Sequence, residues 1–361
     1  QRRQVVVVLW GHDHQRPVVI AEAIVSDAQQ RSAYRSREGE EEYGDTVQRR
    51  KTPRTEIARH HIGDDIDFSA QPQPDQDDRE RRHFAAEGQL TSDLATRAAK
   101  AALADAGLEA DQIDAIIVAT STPDLTFPSV ATMVQAALGV TKGFAFDVQA
   151  VCAGFVFAMA NANALILSGQ ANRVLVIGAE TFSRLMNWQD RTTCVLFGDG
   201  AGAVVLEAIE GQGTNADRGI LATDLNSDGR YKDILYVDGG TSTGTTGHLV
   251  MEGKEVFRHA IEKLAETAHT ALDRAGLTAE DVDWIVPHQA NIRIIEGTAK
   301  RMQVPMDRVV VTVQDHGNTS AASIPLALSV GKARGQIKPG DLVVTEAIGG
   351  GLAWGSVVLR W

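Results

Sequence analysis

The chain has 361 residues, 43% hydrophobic and 23% charged, a balance that buries a large core in one large or two medium domains. A net charge of −12 argues against nucleic acid as the main partner, and no apolar run approaches the ~20 residues of a membrane span. Two cysteines cannot build a disulfide framework and read as thiols of a reducing compartment; without an apolar block and a small-residue cleavage site near the N-terminus, the expected location is the cytoplasm.

In chain order, "VVVVL" at 5–9 reads either as a buried strand or as a lone apolar stretch in a poorly folded arm. Between Arg35 and Arg82, 23 of 48 residues are charged, so that stretch is expected to be solvated or disordered. "HDH" at 12–14 and "HH" at 60–61 lack a third ligand at a readable spacing, and no metal site is expected. From about residue 83, amphipathic helices alternate with short β-rich runs, the pattern of an α/β protein.

An internal repeat sets the architecture. "ALADAGLEADQIDAIIVAT" (102–120) and "ALDRAGLTAEDVDWIVPHQ" (271–289) match at a constant offset of 169, each reading as a helix, a glycine stop and a buried strand. "VLVIGAE…FGDGAGAVVLE" (174–207) is echoed in the same order by "LVVTEAIGGGLAWGSVVLR" (342–360). A duplicated α/β domain follows: an atypical segment 1–81, a half 82–210 and a half 211–361.

Cys152, in "DVQAVCAGF", lies between a β-like run and an apolar helix, so its thiol is expected at a helix N-terminus, where peptide dipoles favour the thiolate. A buried structural thiol is the competing reading. Cys194, among β-branched and apolar neighbours, reads as core. His288 in "WIVPHQANIRI" follows a buried strand, and Asn318 in "HGNTSAASIP" sits beside small residues that permit close backbone approach. The glycine clusters at 198–202, 239–247 and 349–351 lack the lysine of a P-loop and do not form a dinucleotide fingerprint.

"FDVQAVCAGF", "FGDGAGAVVL", "VPHQANIRI", "HGNTSAASIP" and "EAIGGGLAWGS", in this order over about residues 82–361, closely resemble the β-ketoacyl-acyl-carrier-protein synthase III family of thiolase-fold condensing enzymes. The resemblance implies a duplicated thiolase-like fold layered α-β-α-β-α. It also implies decarboxylative Claisen condensation of a short acyl-CoA, acetyl-CoA first, with malonyl-acyl-carrier-protein to start fatty-acid synthesis. No cofactor is implied, since acyl-CoA is a substrate, and the expected assembly is a homodimer without a nucleic-acid or membrane partner.

Residue by residue, the resemblance makes Cys152 the nucleophile and His288 and Asn318 the donors to the enolate formed by decarboxylation. The backbone N–H groups of Cys152 and Gly350 become the oxyanion hole. Arg191 and Asn291 fall at CoA-contacting positions, Phe127 and Ile348 at acyl-pocket positions, and Arg258, Arg293, Lys300 and Arg301 on a basic patch for the acidic carrier. Phe is common where Ile348 stands, so chain-length preference is expected to differ.

One departure concerns the N-terminus. The family's "W-I-x-x-R-T-G-I-R-E-R" stretch, which holds CoA adenine and phosphates, is absent; in register, Pro72 stands at its Trp and Gln76 at its Arg. A misjoined N-terminus and a genuine divergent arm both account for this. The alternatives are a condensing enzyme of secondary metabolism, a form impaired in CoA binding, and a papain-type hydrolase, which also orders Cys, His and Asn but needs an unduplicated fold.

Overall fold

The computed structural model describes residues 3–6 and 82–361. The expectations for 12–14, 35–81, Pro72 and Gln76 fall outside these residues, as do those for positions 7–9 of the first apolar run.

The described chain runs β1 (Arg3–Val6), α1 (Thr91–Ala106), β2 (Ala115–Ala119), α2 (Val130–Ala137), β3 (Phe144–Val148), α3 (Gly154–Leu167), β4 (Arg173–Glu180) and β5 (Gly200–Glu210). It continues through β6 (Gly219–Ser227), β7 (Leu235–Val237), β8 (Leu249–Met251), α4 (Gly253–Ala275), β9 (Trp284–Pro287), α5 (Ile292–Arg301), α6 (Ser323–Ala333), β10 (Leu342–Gly349) and β11 (Ala353–Arg360). One sheet has the order β1-β5-β4-β2-β3 and the other β6-β11-β10-β9. In each, a parallel pair (β2 with β4, β9 with β10) is extended by an antiparallel strand (β5, β11), and an edge strand (β1, β6) pairs antiparallel with that.

The duplication holds to the residue. β2 and β9, β4 and β10, and α3 and α6 each begin 169 residues apart, the offset of the sequence repeat. α1 ends on Gly107 with φ 64° and α4 on Gly276 with φ 67°, a left-handed stop that glycine adopts without steric penalty. Just beyond, Asp114 and Asp283 each turn a carboxylate onto the first amide of the neighbouring strand, that of Arg173 at 3.1 Å and that of Leu342 at 2.8 Å.

Apolar periodicity builds the layers. In β2, Ile116 and Val118 face α1 and α2 with Leu94, Leu103 and Val134, while Ile117 and Ala119 face inward. Between the sheets lie α3 and α6; α3 contributes Phe155, Val156, Met159, Ala162 and Ile166, an apolar surface suited to a helix buried on all sides. On the far side Val344 and Val358 pack against Ala268 and Leu272 of α4 and Ile295 of α5. This is the duplicated thiolase-like fold, layered α-β-α-β-α.

The sheets meet through two tight turns, 151–153 and 320–322, each seated on a strand of the opposite half: the first against β10, the second against β4. A β-carbon on Gly178 of β4 would stand 2.3 Å from the Ala321 carbonyl oxygen, and one on Gly349 of β10 would stand 2.4 Å from that of Ala150. Gly178→Ala is therefore expected to lower stability by about 1–3 kcal/mol through forced backbone displacement, whereas Gly229→Ala, with open space around it, leaves the melting temperature unchanged. Thermal denaturation of the two variants checks this.

Candidate functional site

The two turns carry the same uncommon backbone. Val151 has φ 48° and Ser320 φ 49°, again 169 residues apart, in a region that side-chain-bearing residues enter at a cost, and which concentrates at functional sites. Cys152 occupies the first turn, immediately ahead of α3, with its side chain buried. Its backbone amide lies 2.8 Å from where a Gly349 β-carbon would be, so the glycine run after β10 meets the Cys152 peptide directly. Gly350 is the next residue of that run and packs on the Leu235 carbonyl.

His288 and Asn318 are tied to the second turn. The His288 peptide continues the β9–β10 ladder through His288 N–H to the Glu346 carbonyl at 2.8 Å, and its Nδ1 lies 2.7 Å from Ser323 Oγ. Gln289 locks the strand end: its amide nitrogen donates to the carbonyls of Pro287 and Val310, and its Oε1 accepts from Thr312 and Val313. Asn318 is held on both sides of its backbone, donating to the Leu196 carbonyl at 2.8 Å and accepting from Gly198 N–H at 3.0 Å. Its Oδ1 accepts the Ser320 N–H at 2.9 Å, which leaves the amide nitrogen as the donor.

All three expected residues thus converge on one segment, Ser320–Ser323. Ser320 orients Asn318, Ser323 orients His288, and the turn that carries Cys152 packs against 320–322. Ser320 Oγ also donates to Glu180 Oε1 at 3.1 Å. Glu180 ends β4, is fully buried, and accepts from Thr122 Oγ1 at 2.6 Å and from Ser121 N–H at 3.1 Å.

Burial dominates the electrostatics. It pushes the Cys152 thiol up to about 12; the Ser320 hydrogen bond pulls it back and the Glu180 charge adds to the rise. Cys152 stands just ahead of α3, as expected, and burial there opposes the stabilisation of the thiolate that the helix terminus offers. Burial drives His288 down to about 3, so the imidazole is neutral. Ser323 Oγ accepts the Gln289 N–H at 3.3 Å and keeps its own proton to donate; directed at Nδ1, it is compatible with the tautomer that carries the ring proton on Nε2. Burial raises Glu180 to about 7, its hydrogen bonds opposing, and Glu346 to about 8.

The remaining expected residues lie in several places. Arg191 is exposed, in the turn before Thr193. Asn291 caps α5, its side-chain oxygen accepting from Ile294 N–H at 3.0 Å. Arg293, Lys300 and Arg301 lie along α5 at spacings that share a face, Arg293 half-buried and the other two exposed. Arg258, on α4, is exposed and paired with Glu255 at 2.6 Å. Phe127 is 82% exposed, far from the ordinary state of a phenylalanine, whereas Ile348 is buried among Ala260, Leu264, Ile294 and Leu352, a cluster that Phe127 does not join. Cys194 is buried with Phe182, Met186 and Phe197. Sequence reasoning passed over Glu180, Gln289, Ser320 and Ser323; the one visible signal was an acid closing the otherwise apolar strand "VLVIGAE".

Among the described residues no helix is long and apolar enough to cross a membrane.

Two family profiles match the chain: 3-oxoacyl-[acyl-carrier-protein] synthase III over residues 146–229, and the C-terminal domain of the same family over residues 272–361. The β-ketoacyl-[acyl-carrier-protein] synthase III of Cereibacter sphaeroides is 84% identical over 282 residues, 78% of this chain and 87% of the relative, and that of Ruegeria pomeroyi is 82% identical over the same shares. The crystal structure of 3-oxoacyl-[acyl-carrier-protein] synthase III from Aquifex aeolicus superposes with a TM-score of 0.73 at 44% identity, covering 78% of this chain and 87% of that one. On the strength of these relatives and of the fold they share with it, the chain belongs to the β-ketoacyl-acyl-carrier-protein synthase III family.

Proposed function

We propose that the chain is an acyltransferase that condenses a short acyl-CoA, acetyl-CoA first, with malonyl-acyl-carrier-protein to start fatty-acid synthesis. The observation that carries the reading is that the turn with Cys152 packs against the turn that orients Asn318, at whose end Ser323 holds His288. Cys152 takes the acyl group from CoA as a thioester. Malonyl-carrier-protein then replaces CoA, and loss of carbon dioxide leaves a thioester enolate whose oxygen accepts from His288 Nε2–H and the Asn318 amide. The enolate carbon attacks acyl-Cys152, and the backbone N–H groups of Cys152 and Gly350 stabilise the tetrahedral oxyanion. Sulfur and hydrogen-bond donors supply every step, so the scheme calls for neither metal nor cofactor.

The rest of the assignment follows the same reading. Residues 82–210 form the half with the nucleophile and 211–361 the half with His288 and Asn318, with 1–81 standing apart. Arg191 and the Asn291 amide nitrogen contact CoA and its pantetheine arm, the latter because only the oxygen of that amide is used in capping α5. A homodimer is supported by the exposure of Phe127, which then enters the neighbouring acyl pocket, and by β3, a sheet-edge strand whose Phe144 is exposed. Ile348 bounds that pocket from behind. Arg258, Arg293, Lys300 and Arg301 receive the acidic carrier, and the enzyme works in the cytoplasm.

Incubation with radiolabelled acetyl-CoA is expected to label Cys152 in the wild type and not in Cys152→Ala; an unlabelled wild type would remove the reading. His288→Ala or Asn318→Ala is expected to leave labelling intact and to slow malonyl decarboxylation by about 100- to 1000-fold, the usual loss for one oxyanion donor. Because burial keeps His288 neutral down to about pH 3, decarboxylation by pre-acylated enzyme should have no inflection at pH 6.5. An ordinary histidine would gain its second proton there, keeping its Nε2–H and adding a positive charge beside the enolate, so the rate would change through that pH; the pH profile distinguishes the two.

Replacing Arg293, Lys300 and Arg301 together with alanine is expected to raise KM for malonyl-carrier-protein with little change for acyl-CoA, and added salt should act in the same direction on the wild type. Steady-state kinetics with each substrate varied in turn check this.

A further inference from the structure

The turn that aims Asn318 is anchored at the end of β4. Ser320 donates its backbone N–H to Asn318 Oδ1 at 2.9 Å and its side-chain hydroxyl to Glu180 Oε1 at 3.1 Å, so this one residue is fixed at two points. We propose that Glu180 is a positioning residue for decarboxylation: by tethering the Ser320 hydroxyl it sets the direction of the Ser320 N–H and, through it, the end of the Asn318 amide that faces the enolate. The inference rests on Asn318 being an enolate donor.

What is at stake is the identity of the donor. A primary amide has an acceptor at one end and two N–H donors at the other in nearly the same shape, so half a turn about the last side-chain bond exchanges them. The Asn318 backbone is already held by the Leu196 carbonyl and the Gly198 N–H, which leaves the side chain as the remaining freedom. Ser320 N–H attracts the amide oxygen and repels the amide nitrogen, and so selects the orientation that keeps N–H for a developing oxyanion. The reverse orientation would set a carbonyl oxygen against that negative charge.

Two observations separate the tether from the needs of the fold. The first turn has the same backbone, φ 48° at Val151 against 49° at Ser320, yet Val151 has no hydroxyl and Gly349 stands at the position of Glu180. The turn therefore forms without a carboxylate, and the acid is present where a side-chain amide has to be aimed. Glu180 is also a fixed anchor. Completely buried, it accepts from Thr120 Oγ1 at 3.3 Å, from Ser121 N–H at 3.1 Å and from Thr122 Oγ1 at 2.6 Å, so it cannot follow Ser320 if the turn shifts.

The test compares two rates: single-turnover acylation of Cys152 by radiolabelled acetyl-CoA, and decarboxylation of malonyl-carrier-protein by enzyme acylated beforehand. Only the second uses Asn318, so the ratio of decarboxylation to acylation separates the aim of Asn318 from a general loosening of the site. Both are measured for wild type, Ser320→Ala, Glu180→Met, Glu180→Gln, Asn318→Ala and the double variant of Ser320→Ala with Asn318→Ala, with thermal melting of each recorded alongside. Ser320→Ala deletes the hydroxyl that Glu180 accepts and keeps the backbone amide and the carboxylate. Glu180→Gln keeps an oxygen for Ser320 while the hydroxyls of Thr120 and Thr122 turn to accept from its nitrogen, whereas Glu180→Met fills the space and offers no acceptor.

The ratio is expected to fall by about 10- to 100-fold in Ser320→Ala and Glu180→Met, the scale of loss when a group at the reacting centre is misplaced by ~1 Å, and to stay near the wild-type value in Glu180→Gln. With Asn318→Ala already in place, Ser320→Ala should lower the ratio no further, because nothing remains to be aimed. If Glu180→Met folds poorly, Ser320→Ala decides alone. An unchanged ratio in Ser320→Ala, or the same loss with and without Asn318, overturns the positioning role and leaves Asn318 as a donor. A loss in Glu180→Gln as large as in Glu180→Met overturns the tether in favour of a role for the charge. Wild-type decarboxylation by Asn318→Ala removes the underlying reading instead.

Discussion

The reciprocal seating of two turns governs this molecule. Each half sends its turn, 151–153 or 320–322, onto the central strand of the other half, and each receiving strand has a glycine where a β-carbon would strike backbone. Gly154, which opens α3, has the same tightness; a β-carbon there would stand 3.2 Å from the Ala119 methyl and 3.4 Å from that of Ala321. Close approach of main chain to main chain is what lets a cysteine from one half meet a histidine and an asparagine from the other. Interiors are packed too densely for such a junction to relax around added volume. The small residues of "VCAGF" and "NTSAAS" are therefore a steric requirement of the site.

A duplicated backbone with unequal side chains explains how chemistry is divided. At the offset of 169, Cys152 corresponds to Ala321, His288 to Ala119, Asn318 to Gln149 and Glu180 to Gly349. Cys152, His288 and Glu180 each correspond to alanine or glycine in the other half, whereas Asn318 corresponds to a glutamine. The pair of turns with positive φ is thus used twice in different ways: Val151 precedes Cys152, and Ser320, at the same backbone point, supplies a hydroxyl and an amide to the groups around it.

The fold was legible because it is written in local patterns, the repeated helix, glycine and strand, and the ends of those strands drew attention to Cys152, His288 and Asn318. What was not legible depends on contacts that sequence distance conceals. Ser320 meets Glu180 across 140 positions and His288 meets Ser323 across 35, and neither partner stands out from its neighbours in a list of residues. The burial of the Cys152 thiol is concealed for a related reason: a helix N-terminus can be recognised from sequence, but the extent of desolvation at its first residues is set by β10 and the second turn, which arrive from the other half of the chain.

Support for Asn318 extends to the first described residue of the main body. Arg82 is buried, its guanidinium donating to the carbonyls of Cys194 at 2.8 Å and Phe197 at 3.1 Å, with its charge over the Phe84 ring. Between those two carbonyls lies that of Leu196, which accepts the Asn318 N–H, and a β-carbon on Gly317 would strike the Arg82 methylenes at 2.9 Å. The segment that fixes Asn318 is therefore itself clamped by Arg82. Near the turns the first sheet takes its order from Arg82, from Asp199 holding the Ala85 and Ser183 amides, and from the seat of α6 against β5.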